Sequence, residues 1–211
     1  MLSNYQVKYS ETEDVLKDIC RLNAASKVMV NHRITVAVVG FAIAVVFVRM
    51  TDFFEGNLPL KVLAYIAIWL AAFGVGEILG RTVGMKSAVV GAEGEGMQVY
   101  KQRIQKWGQP LEVKVEFYDT YFTTWVKGLK MKKIEFAWVS KILESHHSIA
   151  IMAQSPGDTH KRIYAFPKEG IDGASVDELK AFLVDSCTNM KKGIKYVEYP
   201  DKKNKAIKEK N

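Results

Sequence analysis

His146, His147 and His160 are the first residues whose types suggest chemistry, because imidazole is a common metal ligand and proton carrier. Adjacent histidines on a strand point to opposite faces, and no carboxylate or cysteine cluster stands around them at a metal-ligand spacing. The sequence therefore predicts no metal site. It contains no recognisable nucleophile elbow, Ser-His-Asp context or pair of catalytic carboxylates, so no catalytic residue and no cofactor is assigned and nothing favours an enzyme. The run GAEGEG at 91–96 is not a nucleotide loop, since no strand precedes it and no Lys-Ser/Thr pair follows. Cys20 and Cys187, the only cysteines, lie far apart among apolar neighbours and read as small core residues of a reducing compartment.

Binding chemistry is easier to find. Lys127, Lys130, Lys132 and Lys133 cluster near Trp125, and ammonium groups so placed can hold anionic or phosphorylated headgroups, or a protein partner. The plainer account is an edge strand kept soluble by lysine. With Tyr121, Phe122 and Trp125 as stacking faces the same lysines would suit a single-stranded nucleic acid. That reading is set aside because the chain carries a membrane anchor.

The anchor is the strongest pattern in the chain. Residues 34–48, ITVAVVGFAIAVVFV, have no charge between Arg33 and Arg49, and residues 62–76, VLAYIAIWLAAFGVG, have none between Lys61 and Glu77. As a helix each spans ~22 Å, short of the ~30 Å hydrocarbon core of a bilayer. Phe53 and Phe54 in the turn extend the apolar surface, Tyr65 and Trp69 suit interfacial depth, and Arg33, Arg49 and Lys61 can snorkel. A buried hairpin in a soluble chain of 211 residues would keep one polar face, and these segments keep none. A transmembrane hairpin is predicted over 34–80. Lys17, Arg21, Lys27 and Arg33 before it, with Arg81 and Lys86 after it, put both termini in the cytoplasm of a multi-pass inner-membrane protein. Glu77 and Arg81, at i and i+4, read as a structural pair at the membrane edge.

From Ala72 onward every fourth residue is small: Ala72, Gly76, Gly80, Gly84, Ala88, Ala92 and Gly96. Each glycine inside a helix costs ~1 kcal/mol relative to alanine, so the stripe needs a compensating close contact. Gly40 and Ala44 supply the natural partner for Ala72, Gly76 and Gly80 within the hairpin. The later members suit a second contact, such as another protomer, or belong to a flexible glycine-rich break.

Around the anchor, Tyr5, Val7 and Tyr9 alternate with polar residues as a short strand, and Ser10 with Glu13 forms a capping-box pattern that opens a helix. In the linker, 81–108, the basic segment MQVYKQRIQKW at 97–107 sets Lys101, Arg103 and Lys106 beside Trp107, as suits a helix near headgroups. Beyond Pro110 the period becomes that of strands, at 111–117, 121–126, 130–136, 139–144, 148–154 and 162–166, with SPGD at 155–158 as a turn. A final helix is capped by Ser175 with Glu178 and buries Val176, Leu179, Phe182 and Leu183. The expected class is α+β: a two-helix hairpin plus a small antiparallel barrel or bent sheet plugged by that helix. Residues 191–211, with eight lysines against Glu198, Asp201 and Glu209, read as a basic, disordered tail, and account for much of the net charge of +7.

Within this order AWVSKILES (137–145) resembles the tryptophan-containing strand of the YcxB-like bacterial membrane proteins, and YAFPKEGI (164–171) resembles their strand ending in Pro-Lys before a helix. The resemblance covers nearly the whole chain and implies a pleckstrin-homology-like (PH-like) domain over 109–190, with no activity attached. The expected organisation is a cytoplasmic strand and helix (1–33), the hairpin (34–80), the linker, the PH-like domain and the tail. The expected role is a binding or regulatory module on a membrane anchor, the alternative being an accessory or self-associating subunit that docks through the small-residue stripe.

Overall fold

The computed structural model describes residues 3–50, 58–129, 131–190 and 192–199, with the side chains of 29–33 and 81 left outside that description. The turn with Phe53 and Phe54, Lys130, the Arg33 side chain, the Arg81 side of the Glu77–Arg81 pair, Lys191 and the chain from 200 onward therefore lie outside the described residues. The class is mixed α+β, with four α-helices among the described residues. Two compact units emerge, one joining Met1–Ala24 to Val89–Asn211 and the other comprising Ala25–Ala88.

The first unit holds all the strands. β1 (Tyr5–Ser10) lies between β2 (Glu112–Phe117) and the two-residue β8 (Ile171–Asp172). It runs antiparallel to β2 over its whole length, from Tyr5 opposite Phe117 to Ser10 opposite Glu112. With β3 (Tyr121–Val126) and β4 (Lys132–Glu135) these strands form a five-stranded sheet in the order β4-β3-β2-β1-β8. β5 (Val139–Glu144), β6 (Ser148–Ala153), β7 (Arg162–Pro167) and β9 (Lys195–Tyr196) form a second sheet in the order β7-β6-β5-β9, mixed because β9 runs parallel to β5. A closed barrel is not formed by the described residues. A 3-10 turn at Phe136–Trp138 carries the chain out of the first sheet before β5 begins, and its buried Phe136 pins that corner.

The alternation read from the sequence sets the buried faces. Val113, Val115 and Phe117 of β2 join Val7, Phe122, Ile142, Ile149, Ile151 and Phe166 in one core between the sheets. α4 (Val176–Ser186) closes that core with Leu179 and Leu183, while Phe182 meets Tyr5 at 5.0 Å and Phe136 at 5.7 Å between ring centroids. Its capping box is formed as expected, Ser175 accepting from the Glu178 backbone N–H and Glu178 from that of Ser175.

Three expectations change in this unit. Ser10 ends β1 and donates to Glu112 across the sheet, so it does not cap a helix; Thr12 accepts from the Val15 backbone N–H at 3.4 Å, and α1 (Glu13–Met50) begins at Glu13. The glycine-rich stretch 91–96 is no break, because α3 (Met85–Trp107) runs straight through it. A Cβ at Gly96 would meet the Lys17 backbone at 2.7 Å, and that backbone-to-backbone approach is the contact that offsets the glycine cost. The basic tail is partly structured, since β9 pairs with β5, Val197 donates its N–H to Glu144 O at 2.7 Å, and Val197 and Tyr199 are buried.

In the second unit the later part of α1 packs on α2 (Leu58–Leu79), which passes through a π-helical turn at Gly80–Gly84 into α3. One extra residue in such a turn shifts the helix phase by about 100°, resetting part of the drift that a four-residue spacing accumulates. α2 buries no residue. The run Leu58–Trp107 is the one helix among the described residues long and apolar enough to cross a membrane, and Ile34–Met50 is a shorter apolar stretch.

Candidate binding surfaces

The structure brings Lys127, Lys132 and Lys133 together on the β3–β4 hairpin. Lys132 and Lys133 lie on edge strand β4 opposite Thr124 and Thr123, and the Lys133 ammonium sits 4.3 Å from the Tyr121 ring centroid. Trp125, Leu129 and Met131 stand beside them 41%, 52% and 55% exposed, so the tip is both basic and apolar. Gly128 permits the turn, with φ of 80° and Trp107 so near that a Cβ would lie 2.8 Å from it. Of the linker cations, Lys106 is 5.4 Å from the Trp107 ring centroid. Arg103 instead turns inward to an ion pair with the buried Glu11, which removes it from the set expected to face headgroups.

A second basic surface has no counterpart in the sequence reading. Ser140 and Lys141 of β5, with Asn189, Lys192, Gly193, Ile194 and Lys195 from the segment leading into β9, line a groove of about 650 Å³. Its frame is well tied. Asn189 donates to Ala137 O at 2.6 Å. The register between β5 and β6 shifts between Val139 and Lys141, and β9 pairs only with Leu143 and Glu144, which leaves the first half of the β5 edge facing the groove. Burial, and then the charges of Lys195 and Lys161, hold the Lys141 ammonium below the usual lysine range. Among the described residues no carboxylate lines the groove. The nearby Glu144 is engaged elsewhere, paired to Lys168 at 2.7 Å and Lys180 at 3.2 Å.

The residues expected to pack the helices sit as follows. A Cβ on Gly40 would lie 3.5 Å from Ala72 Cβ and Phe73 N, Ala44 is fully buried, and a Cβ on Gly76 would overlap the Val36 side chain. Trp69 donates its indole N–H to Ala37 O at 3.0 Å, and Gly80 is buried.

The histidines do not converge. His146 and His147 occupy the β5–β6 turn and touch edge to face at 4.7 Å, and among the described residues no group of three or more His, Cys, Asp or Glu could hold a metal ion. Buried Asp18 accepts from Ser148 and Tyr199, a closed clasp between α1, β6 and the end of the described chain, and burial followed by the Asp18 charge raises the Tyr199 phenol. Both cysteines are free, and burial pushes the Cys187 thiol up to about 12.

No protein-family model, curated protein or solved structure matches this chain.

Proposed function

We propose that the chain is a membrane-anchored binding module that crosses the bilayer twice, keeps both termini on the cytoplasmic side and displays there a PH-like strand unit. The carrying observation is the pairing of β1 with β2 along its whole length. That pairing joins the chain before residue 25 and the chain after residue 88 in one fold, so the intervening segment must leave and return on the same side. An even number of crossings follows. If the α2 run spans, the shorter Ile34–Met50 stretch must cross as well, its deficit met by tilt or snorkelling ends. The exposed apolar surface of α2 supports insertion, since such a face in water would be an aggregation site.

Two sheets with an inter-sheet core and a terminal helix support the PH-like reading and its YcxB-like parallel, and two basic surfaces suit binding more than catalysis. The accessory-subunit alternative is weakened because Gly40, Ala44, Ala72 and Gly76 are taken up inside the hairpin.

The test is side-specific labelling in intact cells, in a cysteine-free background. A cysteine placed by Leu58→Cys should react with an impermeant maleimide from outside, and one placed by Ser3→Cys only after lysis. Labelling of both from one side, or recovery of the chain in the soluble fraction, overturns the topology.

A further inference from the structure

The groove between β5 and the β9 segment plays no part in the membrane reading. Three lysines line it, Lys141 from one element and Lys192 and Lys195 from another, with Lys161 close enough to add its field to Lys141. Among the described residues none of these four ammonium groups has a carboxylate partner, whereas Lys168 and Lys180 are both paired to Glu144 at the end of β5. Cations collected around a concavity without counter-charges repel one another, and a multiply charged anion relieves that repulsion.

We infer that this groove binds a compact, multiply charged phosphate-bearing ligand through Lys141, Lys192 and Lys195. Three features select that chemistry. The donors are lysines with no arginine, point charges suited to spread phosphate charge rather than a planar carboxylate fork. Among the described residues nothing aromatic lines the groove, so they offer no platform for a nucleobase and do not favour nucleic acid. Its volume of about 650 Å³ suits a small molecule, and the hydroxyl and amide of Ser140 and Asn189 lie in the lining beside the cations. Partial burial and two neighbouring cations lower the proton affinity of Lys141, and a bound anion opposes that bias.

The ligand class deepens the binding-module reading but is independent of topology, so the labelling test and this one fail separately. The full chain, purified in neutral detergent, is titrated calorimetrically with inorganic pyrophosphate, and in a parallel arm the detergent is doped with a phosphomonoester lipid. Pyrophosphate binding that weakens with salt, and that Lys141→Gln and Lys195→Gln each reduce by about tenfold or more, supports a soluble phosphate ligand. Binding confined to the doped micelles, with the same sensitivity to both substitutions, supports a headgroup as the source. Lys8→Gln on β1, an exposed lysine paired to Asp172 and outside both basic surfaces, leaves either affinity unchanged. Absence of binding in both arms, or binding indifferent to Lys141 and Lys195 in variants that keep the parent circular dichroism and melting profile, overturns the inference.

Discussion

Removing β1 should unfold the strand unit even though every other strand remains. Two chains make the comparison: Val89–Asn211 alone, and a spliced chain in which Ala25–Ala88 is replaced by a flexible linker. A linker of about five residues is enough, because Arg21 and Glu93 are ion-paired at 2.8 Å and packed helices lie ~8–10 Å apart, within reach at ~3.3 Å per residue. The loss of β1 can be estimated from its contacts. Val7 is fully buried, worth about 2 kcal/mol, and the part-buried Tyr5 and Tyr9 together add about as much. The ladders to β2 and β8 contribute ~1 kcal/mol per hydrogen bond, or roughly 5 kcal/mol. A total on the order of 10 kcal/mol matches the whole stability of an ordinary domain, ~5–15 kcal/mol. Urea titration followed by tryptophan fluorescence should therefore give a cooperative transition for the spliced chain and none for Val89–Asn211. A cooperative transition for the shorter chain, at a similar midpoint, would refute the claim that the strand from the far side of the anchor completes this fold.

Two further outcomes follow from single side chains. Burial alone would raise the Glu144 carboxyl, but hydrogen bonds from Lys168 and Lys180 outweigh it and hold the group below its ordinary value of 4.5. Its contribution is therefore complete above about pH 5 and lost as pH falls through the lower folded value, so the gap between parent and Glu144→Gln, about 1–2 kcal/mol at neutral pH, should close on acidification; a gap independent of pH contradicts the pairing. Gly76→Leu must displace Val36 and should cost about 1–3 kcal/mol, seen as faster proteolysis of the detergent-solubilised hairpin. Gly74→Leu, with open space around it, is the control, and equal rates for the two variants would place the helix contact elsewhere.

The parts of this molecule legible in its sequence are those whose signal is local. Alternation at Val113, Val115 and Phe117 and the Ser175–Glu178 box mark β2 and α4 without knowledge of any partner. The strands β8 and β9 are two residues long and exist only because a neighbour's edge is free, so nothing local announces them. The buried pair Val197 and Tyr199 did carry a period-two signal, hidden by surrounding lysines that made the segment read as a solvated tail. Helix continuity across 91–96 was masked for a related reason: glycine propensity argues for a break, and only the approach to Lys17 reverses it. Among the site residues, the hairpin lysines are near neighbours in sequence and were visible. The groove unites Lys141 with Lys192 and Lys195, which share no spacing until α4 folds back.

The place of β1 also sets a timetable for synthesis. Ser10 is paired with Glu112, so about 100 residues separate the making of β1 from the making of its first partner. At ~5–20 residues per second the strand waits on the order of 5–20 s with both edges bare, while the helices between it and β2 are being made. Its shortness and its alternating Gln6 and Lys8 make it a poor template for stray pairing during that wait. On the proposed topology, insertion would hold the waiting strand and its later partners at one membrane surface and shorten the loop that must close.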